Sequence, residues 1–195
     1  GSEPRRDLGM GILADYSADG TTLFLALPNL ELGFDFDIVA RPADADSSQD
    51  RILIQTEAHA WWPRPSPDGG LLAYVSNESG IQEVYLTTYP GTTGRWVVSR
   101  GGGEWPVWSA DGTKIYYTTR RAIFVVDVDR TAGISLSRPR KVMDRPSIDW
   151  NATWVDAFDL TADGERFVMV APIEEEGEET PRMVVVQNWF AEFSD

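Results

Sequence analysis

The chain has 195 residues, 42% hydrophobic and 25% charged, the proportions of a folded domain and not of a disordered one. With 17 Lys and Arg against 31 Asp and Glu its formal net charge is −14, which repels phosphate backbones and anionic headgroups, so neither nucleic acid nor a membrane surface is expected as partner. No cysteine and one histidine, His59, exclude disulfides, thiolate zinc sites, thiol nucleophiles and a His-rich metal site, and no apolar run approaches the ~20 residues of a membrane-spanning helix.

Residues 1–9 read as a tag remnant, Gly1-Ser2, followed by a polar extension. From residue 10 onward one unit recurs four times, at about 10–57, 58–101, 102–145 and 146–195. Each unit carries the same turn: Ser17-Ala18-Asp19-Gly20, Ser66-Pro67-Asp68-Gly69, Ser109-Ala110-Asp111-Gly112 and Thr161-Ala162-Asp163-Gly164. The turn aspartates lie 49, 43 and 52 residues apart, near the ~40–50 residues of one four-stranded propeller blade. Asp-Gly between apolar runs predicts a hairpin, because Gly accepts φ > 0 while Asp bonds back to the local backbone.

After each turn comes a β-rich run, at 22–26, 71–75, 114–118 and 166–170. A second follows at 36–39, 83–87, 123–127 and 183–186, and a third at 51–54, 95–98 and, weakly, 140–143. With the strand leading into each turn, this makes four short strands per unit. Sustained helical periodicity is absent, so the chain is all-β. Short antiparallel strands could also make a sandwich, but a fixed repeat favours radial repetition. The expectation is a β-propeller of four-stranded antiparallel blades, four in this chain, either alone or within a larger ring.

The Ser-Xaa-Asp-Gly turn, preceded by Trp-Pro (Trp62-Pro63, Trp105-Pro106) and followed by an aromatic-aliphatic strand, resembles the WD-like repeat of TolB-type β-propellers over roughly 11–190. The stretch Val184-Val185-Val186-Gln187-Asn188-Trp189-Phe190 is similar to the end of propeller regions attached to bacterial receptor-type serine/threonine kinases. These resemblances imply a periplasmic or otherwise extracytoplasmic protein that senses or scaffolds through protein contacts. They imply no chemistry, since one fold hosts many tasks.

Candidate catalytic groups are few. Asp19, Asp68, Asp111 and Asp163, with Gly20, Gly69, Gly112 and Gly164, read as structural turn residues on separate hairpin tips, too far apart for paired-carboxylate chemistry. There is no Gly-Xaa-Ser-Xaa-Gly elbow, and His59 reads as a partly exposed polar residue in a blade-to-blade loop. Gly101-Gly102-Gly103 lacks the Lys-Ser/Thr tail of a phosphate loop, and the acidic run 174–179 lacks the oxygen spacing of a calcium loop. The expectation is no catalytic residue, no metal and no cofactor.

Binding is expected at Trp61, Trp62, Trp105, Trp150 and Trp154, which fall just ahead of innermost strands, with Arg64, Glu104, Asp149 and Asp156 in the same segments. Trp and Arg dominate interface hot spots, so an acidic, Trp-rich axial face suits a protein or peptide ligand. Trp62 and Trp105 hold equivalent repeat positions and also fit a second role, wedging between blades. Two other functions stay open: a carbohydrate-active propeller using Glu104, Asp149 and Asp156, and a structural segment of a larger ring. The short fourth unit and the polar N-terminus also predict open blade edges through which the chain forms a homodimer.

Overall fold

In the computed structural model the described residues are 12–29, 35–144, 158–161, 164, 166–173 and 180–187. The chain runs through successive antiparallel meanders. The first comprises β1 (Ile12–Tyr16), β2 (Thr22–Asn29), β3 (Asp35–Pro42) and β4 (Arg51–Ile54), hydrogen-bonded in chain order. The second comprises β5 (Ala60–Pro65), β6 (Leu71–Ser76), β7 (Glu83–Thr88) and β8 (Arg95–Val97), again in chain order.

The third holds β9 (Glu104–Trp108), β10 (Lys114–Thr118), β11 (Ala122–Asp129), β12 (Ser135–Leu136) and β13 (Arg140–Asp144). It gains a fifth strand because β11 is long enough for two partners: β13 along Ala122–Val125 and β12 at Val128 and Asp129. In the fourth, β14 (Phe158–Leu160), β15 (Arg166–Ile173) and β16 (Thr180–Gln187) form three strands among the described residues. The chain divides into two compact units, Gly1–Val97 and Val98–Asp195, each built from two of these sheets.

Each predicted hairpin is present, and its chemistry repeats. The Ser17, Ser66 and Ser109 hydroxyls each donate to the aspartate two residues on, at 2.6 Å. Each also accepts the backbone N–H that opens the next strand, from Thr22, Leu71 and Lys114, at 2.9 Å. Thr161 plays the second part toward the Arg166 N–H at 3.2 Å. Gly20, Gly69, Gly112 and Gly164 have φ between 68° and 72°, which a Cβ would strain. Asp163 lies outside the described residues. These bonds hold the Asp19 and Asp111 carboxyls down at about 2: the Ser17 and Ser109 hydroxyls contribute most, followed by Thr21 and Thr113.

In the first unit the core lies between blades. Phe24, Ile38, Ala40 and Leu53 of the first blade meet Ala60, Leu72, Tyr74 and Tyr85 of the second. The innermost strand β5 packs against β1, β2 and β3. In the second unit Phe167 lies edge-on to Tyr116, with centroids 5.5 Å apart, and 6.0 Å from Phe158, joining the third and fourth blades. Burial of this kind, at roughly 25 cal/mol per Å² of apolar surface, is what makes blade stack on blade.

Candidate functional site

The sequence places Trp61, Trp62, Arg64, Glu104 and Trp105 in the segments ahead of the innermost strands. The structure corrects this: all five lie inside them, in β5 and β9. Between Trp61↔Val75 and Arg64↔Ala73 the inner strand spends one residue more than its partner, and the same bulge falls between Glu104↔Thr118 and Val107↔Tyr116. A bulge is where a strand tolerates a proline, because no ladder bond needs the missing N–H. Trp-Pro thus reads as a loop in the sequence yet sits in the sheet.

The two tryptophans at the bulges differ in setting. Trp105 is buried, 8% exposed, whereas Trp62 is half-buried. Arg64 reaches back to the first blade, with Nη1 3.2 Å from Asp15 Oδ2, and so ties β5 to β1. Glu104 is half-buried, and its backbone carbonyl accepts from the Thr118 hydroxyl at 3.2 Å. Asp149, Trp150, Trp154 and Asp156 lie outside the described residues.

At the end of the first unit remote from the Asp-Gly turns, four half-buried rings follow one another. The Trp61 and Trp62 rings meet at right angles with centroids 5.7 Å apart. His59 lies 5.3 Å from Trp61, and Phe36 lies 5.9 Å from His59. The His59 backbone is pinned where it enters β5: its N–H donates to Asn77 Oδ1 at 2.9 Å, and its carbonyl accepts from the Asn77 N–H at 3.3 Å. Its Nε2 lies 3.6 Å from Asp35 Oδ1. Two strand positions along, Asp37 is buried, and its Oδ2 accepts from Asn29 Nδ2 at 2.7 Å and Gln55 Nε2 at 3.0 Å.

Sequence reasoning found the two tryptophans of this strip and missed Phe36, Asp35, Asp37, Asn29 and Gln55. The available signal was the alternation Phe34-Asp35-Phe36-Asp37, which puts two carboxylates on one face of a strand and an aromatic ring on the other. Chemically the strip offers half-buried aromatic rings beside the Asp35 carboxylate, whose side chain is 20% exposed. Aromatic faces and carboxylates both favour cations and amide donors. Among the described residues no group of three or more His, Asp or Glu side chains is placed to hold a metal ion.

No protein-family model matches the chain, and no curated protein sequence does. Solved structures do match. TolB from Acinetobacter baumannii is similar over 91% of this chain and 41% of its own length, with a TM-score of 0.67 at 14% identity. A puromycin-hydrolyzing peptidase from Mycobacterium tuberculosis is similar over 89% of this chain and 29% of its own, with a TM-score of 0.61 at 23% identity. The β-propeller domain of the trilobed protease from Pyrococcus furiosus is similar over 85% and 50%, with a TM-score of 0.52 at 13% identity.

The chain is therefore an all-β propeller protein with TolB-like blades. It spans about two-fifths of the Acinetobacter TolB's length. At these identities the likeness establishes the fold, and function rests on the site.

Proposed function

We propose that this chain is a non-catalytic propeller module that binds a protein or peptide at the inner end of β5, within an extracytoplasmic bacterial protein. The observation that carries the reading is the run of half-buried rings Phe36, His59, Trp61 and Trp62, bordered by the Asp35 carboxylate. Half-buried aromatic rings clustered beside polar groups fit the composition of interface hot spots. The His59 imidazole meets the Phe36 and Trp61 rings and the Asp35 carboxylate, contacts that suit a binding surface. The sensor role in a kinase-linked protein rests on the sequence resemblance of 184–190 alone.

Selection of heptapeptides from a displayed random library on the immobilised chain tests the reading. Peptides retained by the parent chain and released by Trp61→Ala support it. Turnover of a glycan or peptide substrate that disappears in Glu104→Gln overturns it, because the chain would then be a hydrolase.

A further inference from the structure

The outer rim of the first unit carries a second feature, separate from the β5 end and independent of the binding assigned there. Strand β4 is paired on one side, to β3, through Ile38↔Ile54, Val39↔Ile52 and Ala40↔Arg51. Among the described residues no strand pairs with its other side. Arg51 and Ile52 are exposed on this edge, Ile52 at 55%. An open edge with an apolar side chain on it is a template for another strand.

Beside β4 a cleft of about 200 Å³ opens toward the second blade, lined by Leu53, Ile54, Thr56, Tyr74, Thr87 and Arg95 among others. Tyr74 is 1% exposed, and its buried hydroxyl has no acceptor in hydrogen-bond geometry; Arg95 beside it can only donate. Burial pushes the phenol pKa up, so the group keeps its proton and remains a donor. Among the other polar groups of the cleft, the Thr56 hydroxyl donates to the Ala58 carbonyl at 2.9 Å and the Thr87 hydroxyl to the Gly94 carbonyl at 2.8 Å, while Gln55 and Thr92 complete the lining. Arg95 is paired with Glu78 and lies over the Tyr85 ring. None of these oxygens lies in hydrogen-bond geometry with the Tyr74 hydroxyl, and a buried donor left unmatched is costly.

The geometry points to an extended peptide as the occupant. It adds to the free edge of β4 as a further strand and inserts one side chain, ending in an amide or carboxylate oxygen, that accepts from Tyr74. Strand addition supplies main-chain hydrogen bonds that any sequence can make, and pockets for alternate side chains supply the choice. The alternation fits over 51–53, ahead of the bulge that puts Leu53 and Ile54 both on the interblade core. Arg51 points toward the second blade, its guanidinium 5.3 Å from the Tyr89 ring centroid, and Leu53 lies in the interblade core. Ile52 faces the opposite way. A peptide beside β4 therefore sends every second side chain to the cleft and presents its apolar neighbours to Ile52.

Nitrogen-15 NMR of the full chain, titrated with acetyl-Thr-Val-Gln-Val-Thr-amide, tests this, alongside the same peptide with Glu or Leu at the centre. Shifts are expected at the amides of 51–54 and 92–95, with Gln and Glu binding at least fivefold tighter than Leu. Tyr74→Phe should erase that preference and leave the Leu peptide unchanged; should this variant not fold, the Gln-against-Leu ratio on the parent chain decides alone. The inference is overturned by silence at millimolar peptide, by equal binding of Gln and Leu, or by shifts confined to His59 and Trp61. A dimeric mass by light scattering, with the β4 amides already protected before peptide is added, also overturns it by assigning the edge to a second copy of the chain. Trp61→Ala should leave these shifts unaltered, so failure here is distinct from failure of the β5 site.

Discussion

Trp62 and Trp105 share a left-handed backbone, φ 52° in each, six residues ahead of Asp68 and Asp111. A bulky residue in that region costs about 1–3 kcal/mol and persists only where its surroundings hold it. The holding force at Trp105 is burial of the ring. Trp105→Ala should therefore destabilise the chain by about 3–5 kcal/mol, the usual cost of emptying a large aromatic site. Trp62, which is less buried, should cost clearly less. Urea unfolding of the two variants checks the order, and the reverse order would show that burial of the ring is not what holds the Trp105 backbone.

The Ser-Asp turns should fail in acid. Asp19 and Asp111 titrate at about 2 in the folded chain, below the ordinary carboxylate value of about 4, because the serine and threonine groups bond the charged form. A lowered folded-state pKa contributes stability that is complete above about pH 4 and drains away as pH falls toward 2. The urea midpoint, followed from pH 6 to pH 2.5, should drop through this window. In Ser17→Ala/Ser109→Ala the drop should be shallower, because the folded and unfolded pKa values then lie closer together.

Arg41 and Asp50 form a two-pronged ion pair, Nε to Oδ1 at 2.5 Å and Nη2 to Oδ2 at 2.8 Å, with the Arg41 side chain 4% exposed. Breaking one side of a buried pair strands a charge. Asp50→Asn should cost about 3–5 kcal/mol, and Arg41→Met/Asp50→Leu should recover much of that loss by removing both charges. Denaturation midpoints of the single and double variants measure it. A double variant no better than Asp50→Asn would mean that the arginine stem, and not its charge, is what the first blade needs.

The blade pattern was legible because it is local. Ser, Asp and Gly at fixed spacing encode a turn whose hydrogen bonds close within six residues, and the runs around it alternate as strands do. Hence the hairpins and the strand order of the first two meanders follow from the sequence. The bulges did not, since Trp62-Pro63 and Trp105-Pro106 carry a loop-like local signal that only the neighbouring strand overrides. The second partner of β11 was missed for a similar reason: Ser135–Leu136 is too short to show alternation. At the site, Trp61 and Trp62 stood out by composition. The contact of Phe36 with His59 joins the first blade to the second, and no spacing along the chain encodes it.

In the proposed function the inner end of β5 recognises a peptide without reacting with it. Calorimetric titration of a library-selected heptapeptide into the parent chain, Trp61→Ala and Asp35→Asn measures this directly. Affinity should fall at least tenfold in Trp61→Ala and less in Asp35→Asn, and the peptide should be recovered intact after the titration. Equal affinity in all three chains, or recovery of a cleaved peptide, would contradict it.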